Sequence, residues 1–135
     1  MALQLSAAVR NAMLDAIETT IGTSAVLKIR TGAAPASVAT ADSGTVLATL
    51  TLPSDWMAGA SSGSKAKSGT WEDASADAAG TAAHYRIYAS DGTTAHLQGT
   101  VTATGGGGDL TVDNVVFAAG QSFTVTSYSW TAANS

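Results

Sequence analysis

The residues best placed to do chemistry lie between Ser54 and Asp73, in the stretch SDWMAGASSGSKAKSGTWED. Within it, Gly59-Ala60-Ser61-Ser62-Gly63 has the form G-x-S-x-G. That pattern makes a nucleophilic serine where a strand runs into a sharp turn and a helix, and a histidine reaches the hydroxyl. Here Pro53 stops the preceding strand, and the Gly/Ser-rich run that follows is poor helix material. A β-domain of 135 residues also lacks room for the α/β-hydrolase sheet. Ser62-x-x-Lys65 and Ser64-x-x-Lys67 match S-x-x-K without its S-D-N and K-T-G companions. Asp73, Ser75 and Asp77 keep the alternate spacing of a calcium loop, but Ala78 stands where glycine is needed and His84 where the closing glutamate belongs. His84 and His96 fall on the polar face of a predicted hairpin, with no third ligand nearby. No catalytic residue, metal ligand or cofactor is expected, and the chain is expected not to be an enzyme.

The same stretch has two other readings. Trp56 and Trp71 are either plugs of the domain's own core or anchors that bury on a partner, since tryptophan is enriched in binding hot spots. In the second case Lys65 and Lys67 meet an acidic surface, and the Gly/Ser-rich backbone serves as a pliable docking arm.

Positioning these residues falls to one helix and a series of short strands. Val9, Met13, Ile17 and Ile21 recur every four residues, with Leu14 beside them, and predict a helix over 6–21. Ser6 is its N-cap, Gly22 its C-terminal cap, and Asp15 and Glu18 lie off the stripe. The stripe either covers the domain's own core or packs on a neighbouring subunit. If the helix only docks, deleting residues 1–21 leaves the β-core folded. From Ser24 the period becomes two: Ala25, Leu27 and Ile29, then Val46, Ala48, Leu50 and Leu52, mark half-buried strands.

Residues 83–103 predict a hairpin around Asp91-Gly92. A two-residue turn would set Ile87 against His96. One extra loop residue sets Ala89, Ile87 and Tyr85 against Ala95, Leu97 and Gly99, which keeps the apolar side chains together. An odd-numbered loop or a bulge is therefore expected. Gly105 to Gly108 are too costly in entropy for a strand interior and predict a mobile loop. Further strands follow around Leu110, Val115 and Phe123 to Trp130. The expected fold is mainly β, an antiparallel β-sandwich or jelly roll preceded by one N-terminal amphipathic helix. The helix occupies 1–22 and the sandwich 23–135, in a single domain.

Composition narrows the function. Hydrophobic residues reach 45 %, but Leu, Ile, Val and Phe number only 24. This predicts a thin core of small residues and a chain that gains by burying surface against a larger body. No cysteine is present, so disulfides and thiolate chemistry are excluded. Arg10 and Asp15 interrupt the N-terminal segment, which does not read as a secretory signal, and no stretch is apolar enough for a membrane span. The chain is expected to work without export. A net charge of −4 and a pI near 4.7 argue against nucleic acid as a partner.

Four runs, LDAIETTIGTSAVLKIRTG, GTVLATLTLPSDWMA, GTWEDASADAAGTAAHYRIYASDGTTAHLQGTV and NVVFAAGQSFTVTSYSWTAAN, together cover most of the chain. In them the chain resembles small virion structural proteins of tailed bacteriophages and prophages, most like head decoration (cement) proteins. The resemblance implies a β-sandwich or jelly roll that binds outside the capsid lattice and clamps neighbouring capsomers. Its partners would be the major capsid protein and copies of itself, with no nucleic acid and no membrane. Its place would be the virion, assembled in the bacterial host cytoplasm. The residues expected at that interface are Val9, Met13 and Ile17 of the helix, and Trp56, Lys65, Lys67 and Trp71 of the loop. Two alternatives stand beside this one. One is a tail, head–tail adaptor or fibre-associated virion protein. The other is a carbohydrate-binding module that stacks sugar rings on Tyr85, Tyr88, Trp56 and Trp71.

Overall fold

In a computed structural model, which describes residues 3–132, the chain is mainly β with one N-terminal helix. Helix α1 spans Ala7–Ile21. The Ser6 hydroxyl accepts the Val9 N–H at 3.2 Å, and the Gly22 N–H closes the other end on Glu18 O. Both caps and both boundaries are those the sequence predicts.

Strands β1 (Val26–Arg30) and β2 (Val46–Thr51) pair antiparallel, and β1 also pairs β6 (His84–Tyr88). On the far side of β6 lies β7 (Ala95–Ala103). The register sets Ile87 against Leu97 and Tyr85 against Gly99, with a bulge between Ile87 and Tyr88 that brings Tyr88 opposite Ala95. The predicted odd register is therefore present. Ala89 lies beyond the bulge and donates to Thr94 O instead of facing Ala95. Asp91 fixes the turn: its carboxylate accepts the Thr94 hydroxyl and the amides of Thr93 and Thr94. These bonds, the Thr94 hydroxyl first, hold its pKa well below the usual aspartate value.

One strand pair departs from the expected antiparallel pattern. β8 (Leu110–Val112) runs parallel to β7, although only residues 104–109 separate them. Parallel neighbours ordinarily need a crossover of about a dozen residues. The four glycines make the short return possible. Gly105 and Gly107 take φ of +86° and +81°, and a Cβ on Gly106 or Gly108 would lie 2.8 Å from Thr102 side-chain atoms. The expected mobile loop is tied down, because Gly106 donates to Ala103 O and Gly108 to Thr102 Oγ1.

β10 (Phe123–Thr131) continues the sheet beyond β8 and carries β3 (Ser64–Ala66) and β4 (Glu72–Asp73) on its other edge. The sheet curls. Asp73 of β4 accepts the Thr49 N–H of β2, and beyond β4 Asp77 accepts the Thr49 hydroxyl while its N–H donates to Leu47 O. The carboxylates that mimic a calcium loop therefore seal the β2 edge, a standard protection against edge-to-edge pairing. A small separate ladder joins β5 (Gly80–Thr81) to β9 (Val116–Phe117).

The core is filled by large aliphatic and aromatic side chains rather than by small residues. Trp56, Trp71, Trp130, Tyr128 and Tyr85 form one connected cluster with ring centroids 5.4 to 6.0 Å apart. Each such ring removes roughly 150–250 Å² from water, an upper bound of about 4–6 kcal/mol at about 25 cal/mol per Å². This corrects the expectation of a thin core.

β6 is buried along its whole length, His84 and Arg86 included, because residues 33–43 fold over the outer side of the sheet. Arg86 reaches Asp42 Oδ1 (2.8 Å), Gln98 Oε1 and the carbonyls of Ser37 and Thr40, while Arg30 holds Asp42 Oδ2 at 2.9 Å. Burial would raise the Asp42 pKa. The Tyr88 hydroxyl and the two guanidiniums outweigh it, and the carboxyl is held below its ordinary value. His84 is thus no surface residue; its Nδ1 is 2.7 Å from Gly32 O.

Gly99 faces the Tyr85 ring across the strand pair, and a Cβ there would lie 2.7 Å from Tyr85 Cε1 and 2.8 Å from Asp109 Oδ2. Gly99→Ala is expected to destabilise the fold by about 1–3 kcal/mol, the usual cost of overpacking. Denaturant unfolding checks this, and an unchanged midpoint would show that Tyr85 moves aside freely.

Candidate interaction surface

The helix that begins the chain is bound to the β-body through its polar side. Asn11, Asp15 and Glu18 share one face at helical spacing. Asn11 Oδ1 accepts the Gly63 N–H (2.9 Å), Asp15 Oδ1 the Ala60 N–H (3.1 Å) and Glu18 Oε1 the Met57 N–H (3.2 Å). Beneath them Lys65, 3 % exposed, points its ammonium from β3 at Asp15 (2.7 Å) and Glu18 (2.8 Å). The Trp56 indole N–H donates to Gly22 O at the far end of the helix. The loop that reads as a free arm is therefore strapped along α1.

This geometry disposes of the serine motifs. Ser61 and Ser64 pair across a two-residue turn in which Ser62 and Gly63 both have positive φ, +52° and +75°. Positive φ at both central positions is the geometry of a tight hairpin turn. The G-x-S-x-G string is that turn, with no helix after it. Lys65, the lysine of the S-x-x-K match, is kept as an ammonium. Burial alone would lower its pKa, but the bonds from Asp15 and Glu18 carry it above the usual lysine value. In turn the Lys65 hydrogen bond, with the Ala60 amide, holds the Asp15 carboxyl below its usual range. Among the described residues no three His, Asp or Glu side chains converge as metal ligands.

The residues expected at an interface divide into two groups. Trp56 and Trp71 are 0 % and 1 % exposed and touch each other in the aromatic cluster. They cannot reach a partner without opening the core, so the docking-arm reading is corrected to the core-plug one. Lys65 is corrected with them, since its charge is spent within the chain. Lys67 is half-buried, over the Trp71 ring and bonded to Gly69 O. On the helix the stripe changes character along its length. Ile21 is buried in the core and Ile17 half-buried, whereas Val9 and Met13 are 46 % and 50 % exposed. The core reading of the stripe thus holds at its Ile21 end, while Val9 and Met13 stay exposed.

Met13 and Ile17 also line a shallow groove of about 320 Å³ with Ala16, Thr20, His96 and Leu97. The arrangement offers apolar contact area on a stiff support. Sequence reasoning missed the Asn11–Asp15–Glu18 face. Its signal was present, as three hydrogen-bonding side chains at helical spacing beside an apolar stripe. Compared with known proteins, the chain matches no family model, no curated protein and no solved structure.

The ion-pair clamp makes a signed prediction. Lys65→Ala leaves Glu18 and Asp15 without their cation and is expected to destabilise the fold at neutral pH. Asp15 titrates lower folded than unfolded, so its contribution is complete above its unfolded value, about 4, and is lost as pH falls through the folded value. The stability difference between the two proteins should therefore shrink in acid. Denaturant titrations at several pH values test this, and a difference that stays constant into strong acid would contradict the clamp.

Proposed function

We propose that the chain is a structural protein of a tailed-phage virion, a decoration or cement protein that docks on the major capsid protein lattice and stabilises the head. The resemblance in sequence supports the virion reading. The observation that carries the docking reading is the exposed apolar end of α1, at Val9 and Met13, on a helix whose polar side is fully committed to its own β-body. An apolar pair held on a rigid support loses little conformational freedom when it buries against a neighbour. Docking that occurs only on the assembled lattice stabilises it by RT ln(1 + [L]/Kd) per site, about 2.7 kcal/mol when the protein is a hundredfold above Kd. Many copies on one shell, in contact with one another or not, multiply that gain.

The carbohydrate reading has lost its platform. Tyr85, Tyr88, Trp56 and Trp71 are all 3 % exposed or less and cannot stack on a sugar. Removing the whole helix is also the wrong test of docking, because Leu14 and Ile21 are core residues and Lys65 would be left buried and unpaired.

The direct test separates virions of the encoding genome into heads and tails and locates the chain by mass spectrometry. It is expected on heads; recovery with tails alone would favour the adaptor or fibre alternative. A double variant, Val9→Asp with Met13→Glu, is expected to keep its unfolding midpoint and lose about 2 kcal/mol of head binding, roughly thirtyfold in Kd. Unchanged binding would remove the helix from the interface.

A further inference from the structure

β8 is too short for the two strands it joins. It pairs β7 only at Val101–Ala103, and it meets β10 no further along than Tyr128. The Ala95–Gly99 part of β7 and the Ser129–Thr131 part of β10 therefore have no strand between them among the described residues. Neighbouring strands lie about 4.8 Å apart, so strands on either side of a third are about 10 Å apart, the width of one missing strand.

The backbone groups along both edges turn into this slot. Val101 donates to Ala83 O toward β6, so by alternation the groups of Thr100 and Gln98 point the other way, as far as the bulge at His96. The Thr100 N–H confirms this by reaching Asp109 Oδ2 at 3.0 Å. On β10, Tyr128 O and the Ala132 N–H bond toward β3 and its turn, which directs the groups of Ser129 and Thr131 into the slot. The cleft there measures about 360 Å³. Its apolar lining includes Leu14, Ile17, Leu97 and Trp130, of which Ile17 and Leu97 also line the groove beside Met13. Its one charged wall is Asp109, whose negative charge contributes to raising the pKa values of the buried Tyr85 and Tyr128 hydroxyls, after burial itself.

We infer that the β7 edge at Ala95–Gly99 is a strand-addition site for an extended segment of a partner polypeptide, with alternate apolar side chains turned toward Leu97, Ile17 and Trp130 and a basic residue beside Asp109. Two open backbone edges one strand apart call for a peptide backbone rather than a helix or a sugar, since main-chain bonds supply affinity and alternate side chains supply specificity. Charge complementarity with Asp109 selects a cation and disfavours an acidic segment. The site is distinct from the exposed Val9–Met13 end of the helix and does not depend on the capsid reading.

The test uses the full ¹⁵N-labelled chain and acetylated six-residue peptides that alternate valine and threonine, ending in lysine or in glutamate. The lysine peptide is expected to shift and protect the amides of Gln98, Ser129 and Thr131, and to bind about threefold more tightly than the glutamate peptide. Asp109→Asn should erase that threefold preference while leaving the amide shifts in place. Methylating alternate peptide nitrogens should abolish binding. No response at those three amides, or equal affinity for the methylated peptide, would overturn the inference.

Discussion

One buried ammonium organises the molecule. Lys65 lies under α1 with both of its carboxylate partners, Asp15 and Glu18, on the helix. A lysine in that position is unfavourable alone and acceptable only when paired and hydrogen-bonded. The pairing thus commits the helix to one place and one rotation on the β-body. The same two carboxylates also accept the amides of Ala60 and Met57, which fixes the loop that carries Trp56 into the aromatic cluster. Helix, loop and core are consequently one unit, and a helix held in this way leaves its apolar N-terminal end outside by construction.

A second polar network does similar work on the opposite side of the sheet. Asp42 lies between Arg30 and Arg86 and draws residues 33–43 over strands that would otherwise be half-exposed. In a chain with few large aliphatic residues, these two charge clusters position segments that apolar contact alone would not specify. Burial of the aromatic rings supplies the driving force, and the ion pairs supply the register. Among the described residues, the large hydrophobics left exposed after both networks are satisfied are Leu3, Val9 and Met13 near the N-terminus, beside the groove along β7, and Val116.

The sequence was legible wherever local chemistry decides the structure. Ser6 and Gly22 mark the helix ends because caps act within a few residues. The odd hairpin register follows from keeping Ile87 and Leu97 on one face, since a slip would expose both. Legibility failed where the deciding partner was distant in the chain. Trp56 looks like a loop anchor until Trp130 and Trp71 are brought to it. His84 looks exposed until the loop held by Asp42 covers β6. The parallel β7–β8 pair was hidden for a different reason. Four glycines announce a loop but not that the loop doubles back on Thr102.

The central claim is that α1 is welded to the β-body and presents its apolar end from a fixed support. Native-state amide hydrogen exchange tests it most directly. The account predicts that the amides in the middle of α1 exchange only with global unfolding, at the same free energy as those of β1 and β6. Exchange of the helix by local opening, several kcal/mol below the core strands, would contradict it.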